Sequence, residues 1–493
     1  MVGAPVRVAV AAERPNILFI MSDDHAYQAI SAYGSNRNTT PHIDRIAAEG
    51  MRFNRSYVTN SICGPSRASI LTGTYSHKNG FYDNRSAFDG SQTTFPKLLQ
   101  AAGYQTALIG KWHLKSEPTG FDHWDILPEQ GMYYRSDFIT STGRYTVPGY
   151  VTDVITEKAL DWLHQKRDKS KPFLLMVHHK APHSRWDPPV QYLTAFEDEQ
   201  VAEPATLMED CANRGTAAQH AEMRIEQLNP EADLKLWGKD GPTRTWLYNH
   251  MTPAERDVWE KYVDPRLAEL KKQNPQGSQE LRKVYYQLYI KDYLRCVAAV
   301  DDSVGALLDE LDASNLTSNT LVVYTSDQGF YLGEHGWFDK RFMYEESLRA
   351  PLLMRWPGVI EPGRVEDHIV SNIDYAPSFL DVAGLSAPSD MQGRSLHPLL
   401  RGERPIDWRT SFYYHYYEGV NGDHHVYRHE GVTNGRTKLI HYYPIKEWEM
   451  FDLENDPNEW VNLYGRPEYA AMQAGLHAEL ARLRRALDVP PLE

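Results

Sequence analysis

The sequence predicts an α/β protein with a large, mostly parallel sheet flanked by helices and a smaller C-terminal antiparallel sheet. Three observations predict it. Short apolar or β-branched runs recur along the chain, each followed by polar residues and then a helical pattern. These runs are nearly continuous in apolar residues rather than alternating, as in strands buried on both faces. After about residue 404 the pattern changes to short aromatic segments.

Taken in order, the strand segments are PNILFIMSDD (15–24), TALIGKWH (106–113), KPFLLMVHHKAPH (171–183), NTLVVYTSDQG (319–329) and APLLMRWPG (350–358). Between them lie the helical patterns PHIDRIAAEG, TFPKLLQAAG, DVITEKALDWLHQ and a long one over 280–311. Residues 190–278 are charged and punctuated by Pro and Gly, and read as an insertion at the rim of a pocket. The main α/β domain is placed at 15–403 and a small C-terminal unit at 404–493. TSFYYHYYEG, HHVYRHEGV, TKLIHYY and EWEMFDL supply the strands of that unit, closed by a helix near 467–487.

The chain has 493 residues, 41% of them hydrophobic, enough for a large core. Its net charge of −14 and the lack of any Lys/Arg block argue against nucleic acid as a partner. An anionic substrate must therefore be held by a local cluster of positive charge or a metal. The three cysteines, Cys63, Cys211 and Cys296, form no CxxC pair and no disulfide framework. No apolar run is long enough to span a bilayer. The opening MVGAPVRVAVAAER lacks an apolar core and is interrupted by Arg7, so it is not a signal peptide as written. That places the protein in the cytoplasm if the start is authentic, and in the periplasm or outside the cell if it is truncated.

In open α/β sheets ligands bind at the carboxyl edge of the strands. MSDD, GKWH, HHKAPH and TSDQG all fall there. Asp23 and Asp24 alone suit either a helix cap or a metal. Asp327 and Gln328 repeat the arrangement at a second strand end, and together these hard oxygen donors suit Ca²⁺ or Mg²⁺ rather than zinc. Lys111 and His113 point the same way if the strand conformation continues. With His178, His179, His183, His335 and Lys340 they interleave imidazoles and ammoniums and lack an HExxH helix. The pattern favours oxyanion binding and proton transfer over zinc. His179 and His335 taken singly read as structural groups. Cys63 stands in NSICGPSRASILTG, at a chain reversal followed by Arg67, where a structural cysteine is out of place.

CGPSRASILTG resembles the sulfatase signature, C-x-P-S-R followed by a closing T-G. MSDD, GKWH, APH, SDQG and the Lys340 segment resemble the family's other site elements in the same order, and the resemblance runs from about residue 15 to the C-terminus. It implies the alkaline-phosphatase-like fold, shared with phosphatases, phosphonate hydrolases and nucleotide pyrophosphatases. It implies that a formylglycine-generating enzyme oxidises Cys63 to Cα-formylglycine. Asp23, Asp24, Asp327, Gln328 and residue 63 would then hold one divalent cation, usually calcium, with magnesium the alternative. Gln328 departs from the asparagine that many members carry. Arg67 would orient the hydrated aldehyde, and Lys111, His113, His183 and Lys340 would surround the sulfate. One hydroxyl of the hydrate would attack sulfur while His183, helped by Lys340, protonates the departing alcohol. His113 would deprotonate the second hydroxyl so that the aldehyde reforms and sulfate leaves.

Within the family the chain is most similar to carbohydrate sulfatases of the N-acetylglucosamine-6-sulfatase type, which act on glycosaminoglycans or mucin glycans. HYYEGVNGDHHVYRHEGV offers His424, His425 and His429 as sugar contacts, with packing inside the small sheet an equal reading of each. The competing functions are a phosphate or phosphonate ester hydrolase, an arylsulfatase for small sulfate esters, and a sulfated-glycan-binding protein whose cysteine stays unconverted.

Overall fold

The computed structural model describes residues 14–492. The opening segment on which the leader expectation rests lies outside them. Ten strands form the main sheet, in the order Arg364–Glu366, Met51–Phe53, Leu352–Arg355, Thr320–Ser326, Asn16–Ser22, Phe173–His178, Gln105–Lys111, His123–Leu127, Asp137–Thr140, Gly143–Thr146. Asn16–Ser22 lies at the centre, parallel to both Phe173–His178 and Thr320–Ser326. Every residue of that strand is buried. Leu18 and Ile20 enter one apolar core, while Ile17, Phe19 and Met21 enter a second on the opposite face. Two cores, one per face, explain why the run is apolar without alternation.

The APLLMRWPG segment does form a strand, Leu352–Arg355, but it runs antiparallel to Thr320–Ser326. The chain turns back between the two strands through a loop that ends in the short helix Glu345–Leu348. The sheet is thus parallel at its centre and mixed towards its edges.

The 37-residue helix Gly277–Ala313 spans the main core. The 190–278 region packs against it through short helices, among them Pro253–Tyr262 and Arg266–Gln273. Arg266 grips both oxygens of Asp292 at 2.6 and 2.8 Å, and Arg282 grips Glu226 at 2.7 and 2.6 Å.

Phe412–Tyr416, His429–Thr433, Thr437–Tyr442 and Glu447–Asp452 make the small antiparallel sheet, covered by the helix Ala470–Ala486. Its inner residues Tyr414, Val432, Leu439 and Phe451 join the same apolar cluster as the long helix. The HHVYRHEGV segment is strand only from His429. Asp423–His425 is a helical turn in which His424 and His425 have φ of 64° and 53°, a left-handed bend that no strand continues.

Candidate active site

Cys63 opens a ten-residue helix, Cys63–Thr72, every residue of which is buried. The helix starts three residues before the expected Ser66, so Pro65 falls in its first turn, where its missing N–H costs nothing. Gly64 is required by close approach. A Cβ there would lie 2.7 Å from both Asn84 Oδ1 and Phe81 Cε1. In its place the Gly64 N–H donates to Asn84 Oδ1 at 2.9 Å.

The helix start meets the carboxyl edge of the sheet. Cys63 Sγ lies 3.3 Å from Asp23 Oδ1. Asp23, Asp24 and Asp327 place carboxylate oxygens within 4.8 Å of one another, and Asp23, Cys63 and His183 form a second such group. Arg67 donates from Nε to Asp327 Oδ2 at 2.9 Å and from Nη1 to the Lys111 carbonyl at 2.7 Å. Lys111 Nζ pairs with Asp23 and also donates to Gln130. Lys340 Nζ bridges both oxygens of Asp24 at 2.8 Å each, and His183 Nε2 stands 3.7 Å from Asp24. Asp23, Lys111 and Asp327 are wholly buried; His183, with 13% of its side chain exposed, opens the cluster to solvent.

The electrostatics follow from crowding charges in a dry place. Burial alone would raise the Asp23 carboxyl, but Lys111, His183, Arg67 and Lys340 overcome it and hold Asp23 well below the usual range. Burial, only partly offset by Lys340, pushes Asp24 up to about 7 with the help of Asp23 and Asp327. Asp327 is pushed up to about 6 by burial and Asp23, against Arg67. Burial and then Asp23 raise the Cys63 thiol well above its ordinary value, so it is no thiolate nucleophile here. Burial and Lys111 press His113 down to about 2, which makes it a neutral imidazole.

His113 reaches this surrounding by a route other than the expected one. The strand ends at Lys111 and His113 has φ of 57°, so the two side chains do not alternate along an extended chain. The left-handed bend keeps the imidazole within electrostatic reach of Asp23, Arg67 and Lys340.

Gln328 donates its amide to Asp24, and its buried Oε1 has no hydrogen-bond partner among the described residues. Three carboxylates in mutual contact and one orphan carbonyl form an all-oxygen donor set, which suits a hard divalent cation. The residues present therefore fit the metal that the family resemblance implies.

The other expected residues separate. His178 is buried with Nδ1 on the Lys111 carbonyl at 3.1 Å, and His179 is held by Ser303 at 3.1 Å. His335 is locked between Glu209 and Glu346. His429 does not reach a sugar-contacting surface. It is wholly buried among Phe342, Tyr414, Tyr416 and Tyr442, with Nδ1 on the Tyr427 carbonyl at 2.8 Å. The cause is its place on an inner strand of the small sheet. His424 lies nearer the centre: its Nε2 is 3.2 Å from Asp339, the residue before Lys340. His425 is half-buried with its ring edge on Tyr427.

Sequence reasoning passed over Asn84, Gln130, Asp339 and Arg341. Asn84 and Gln130 sit in irregular loops without a strand-end pattern. Asp339 and Arg341 flank Lys340 with φ of 74° and 94°, and the charged run FDKR around that lysine is the signal that could have found them.

A buried oxygen cluster with an arginine, two lysines and neutral imidazoles, set at the carboxyl edge of a doubly covered sheet, defines a hydrolase of anionic esters. Residues 15–385 match the sulfatase family, and 333–486 match the C-terminal region described for N-sulphoglucosamine sulphohydrolase. An N-acetylglucosamine-6-O-sulfatase of Bacteroides thetaiotaomicron is 50% identical over 477 residues, covering 94% of this chain and 85% of its own. The N-acetylglucosamine-6-sulfatase of Homo sapiens is 29% identical over 443 residues, covering 84% and 69%. A solved structure described as in complex with its substrate D-glucosamine-2-N,6-O-disulfate superposes with a TM-score of 0.94 at 48% identity, covering 97% of this chain and 98% of that one. The chain belongs to the sulfatase family, with the alkaline-phosphatase-like fold, and is a sulfuric ester hydrolase.

Proposed function

We propose that this sulfatase removes the 6-O-sulfate from glucosamine or N-acetylglucosamine units of sulfated glycans, with residue 63 as a formylglycine hydrate. The observation that carries the reading is the meeting of Cys63, Asp23 and His183 within 4.8 Å, beneath the pairs Lys111–Asp23 and Lys340–Asp24. The sugar comes from likeness to the Bacteroides thetaiotaomicron enzyme, whose match spans nearly the whole chain.

Asp23, Asp24, Asp327 and Gln328 would hold a divalent cation, with Ca²⁺ first and Mg²⁺ second. When bound it supplies charge stabilisation to the sulfate oxygens. The hydrate of residue 63 supplies the attacking hydroxyl, and a second hydroxyl whose loss of a proton lets the sulfate leave. A serine would lack the second. Arg67, anchored on Asp327 and the Lys111 carbonyl, fixes the hydrate's orientation. Lys111 and Lys340 exchange their carboxylate partners for sulfate oxygens as the anion enters. Burial keeps the His183 imidazole neutral, against the pull of Asp23. An arriving anion raises its proton affinity and makes it the donor to the departing sugar oxygen. His113 stays neutral, the form that accepts the hydrate's second proton. His424, paired with Asp339 beside Lys340, is read as a contact for a sugar hydroxyl.

The test is turnover of N-acetylglucosamine 6-sulfate, N-acetylgalactosamine 6-sulfate, an aryl sulfate and an aryl phosphate by protein produced with a formylglycine-generating enzyme. The glucosamine ester should be cleaved fastest. Preference for aryl phosphate would replace the reading with a phosphoesterase, and equal rates on all sulfates would remove the sugar assignment.

A further inference from the structure

One buried cation close to His183 takes no part in the chemistry above. Lys180 is 4% exposed, and its ammonium has no carboxylate within ion-pair distance among the described residues. Nζ donates to the Ser184 carbonyl at 3.1 Å and sits over the Tyr133 ring, 4.8 Å from its centre. Burying a lysine without a counter-ion is costly, because desolvation disfavours the charged form. Burial, with Lys111 acting in the same direction, brings Lys180 down to about 8, so it keeps its proton at neutral pH.

The segment that holds Lys180 and His183 is fastened to the end of the central strand. The His179 N–H donates to the Met21 carbonyl at 2.8 Å, and the Ala181 carbonyl accepts from the Asp23 N–H at 3.3 Å. Within the segment the His183 N–H donates to the Lys180 carbonyl at 3.0 Å, and the Tyr133 hydroxyl donates to the His183 carbonyl.

The imidazole itself is held through Ser184. His183 Nδ1 lies 2.9 Å from the Ser184 carbonyl, the same oxygen that Lys180 Nζ holds. A carbonyl only accepts, so Nδ1 carries the ring proton and Nε2 of the neutral ring is bare. Nε2 is the nitrogen that faces Asp24, at 3.7 Å. Ser184 Oγ, 3.3 Å from Nδ1, is a competitor for that nitrogen. A hydroxyl can donate as well as accept, and donation to Nδ1 would move the ring proton to Nε2. A neutral ring in that form could release its proton only as an imidazolate, a far weaker acid than an imidazolium.

We propose that Lys180 is a positioning residue for the acid of the reaction: its ammonium keeps the Ser184 carbonyl on His183 Nδ1, so that Nε2 alone serves the departing oxygen. The Nε2 proton of the imidazolium passes to that oxygen as the S–O bond breaks, and the ring returns to the Nδ1–H form that the carbonyl accepts. Lys180 touches neither sulfate nor sugar and acts only through the carbonyl. The inference rests on the reading of His183 as the proton donor.

The test uses the full-length enzyme, produced with a formylglycine-generating enzyme, as parent, Lys180→Met, Lys180→Arg and His183→Ala. Methionine keeps an unbranched apolar stem against Tyr133 and loses the donor. kcat on N-acetylglucosamine 6-sulfate should fall about tenfold in Lys180→Met with KM within a few-fold, the scale of one charge-assisted hydrogen bond. Lys180→Arg should recover most of it. The fall on 4-nitrophenyl sulfate should be several-fold smaller, because a nitrophenolate departs without a proton. His183→Ala should show the same selectivity more strongly. If His183→Ala lowers both esters alike, the proton-donor reading fails. If His183→Ala is selective while Lys180→Met lowers both esters alike, or neither, the positioning role is overturned. Ring ¹⁵N spectra of histidine-labelled protein judge Lys180 separately from turnover, with the His183 signals assigned by their loss in His183→Ala. The parent should carry the His183 proton on Nδ1, and Lys180→Met should show it shared with Nε2. The same nitrogen protonated in both proteins overturns the inference.

Discussion

Lys340 holds Asp24 through both carboxylate oxygens at 2.8 Å, so an ammonium occupies the place where a cation and a sulfate would compete for the same charges. Burial would lower the Lys340 ammonium, but Asp24 and its neighbours raise it well above the usual range. The pocket is thus built of counter-ions that a substrate and a metal can exchange. Breaking one partner of such a buried pair leaves the other uncompensated, at about 3–5 kcal/mol. Lys340→Ala is therefore expected to lose turnover by about 10²–10³-fold, the range for removing one preorganised transition-state contact. It should also lower the melting temperature, because Asp24 loses its partner. Turnover within a few-fold of the parent would take Lys340 out of the sulfate pocket.

Residue 63 is the second test. Cys63→Ala and Cys63→Ser should each abolish sulfate-ester hydrolysis, by about 10⁴-fold or more, because the covalent step has no other route. Both variants should keep the fold, since the one hydrogen bond of the Cys63 side chain among the described residues is to Asp23 and both replacements are small enough for the site. The peptide carrying residue 63 from active protein should show the mass of an aldehyde or its hydrate. A plain thiol in fully active protein would end the mechanism.

Sequence and structure agree best where backbone position and chemistry coincide. Asp23, Asp24 and Asp327 were legible because each follows a run of buried strand residues, so strand end and site edge are one place. His113 was legible as a residue but not by its route, since a left-handed bend at 113 has no signature in GKWHLK. His429 was misplaced because its histidine–tyrosine surroundings suit a packed strand as well as a sugar surface, and inner-strand position decides between them. Asn84 and Gln130 were not legible at all. Their contacts come from loops brought in from elsewhere in the chain, a tertiary fact that local pattern does not encode.

Metal removal should separate the donor set from the catalytic cations. Asp23, Asp24 and Asp327 repel one another in a buried site, and burial with that repulsion lifts Asp24 to about 7 and Asp327 to about 6. Chelation should abolish activity and lower the melting temperature, and Ca²⁺ should restore both. At a hundredfold excess over Kd, a bound ion adds about 2.7 kcal/mol. Gln328→Ala should shift the Ca²⁺ titration to higher concentration, because its carbonyl has no hydrogen-bond partner among the described residues. A melting temperature that ignores both chelator and Ca²⁺ would show that no ion is held here.

The last prediction concerns the clamp between the 190–278 region and the long helix. Asp292 is wholly buried and accepts from Arg266 at 2.6 and 2.8 Å and from Arg295 at 2.9 Å, with Lys235 at 3.4 Å. Burial alone would raise its carboxyl, but Arg266 and Lys235, with Arg295, hold it far below the usual carboxylate range. A carboxyl with a depressed folded value binds its proton more readily in the unfolded chain. Its contribution is therefore complete above the ordinary carboxylate range, near pH 4, and is lost as pH falls towards the folded value. Asp292→Asn should cost about 3–5 kcal/mol at pH 7 by stranding two arginines and a lysine. That deficit should shrink steadily below about pH 4, as the parent's own Asp292 becomes protonated in the unfolded chain. Denaturant unfolding of parent and variant across pH 7 to 3 measures the gap. A gap that stays constant with pH would mean that Asp292 acts through packing rather than charge.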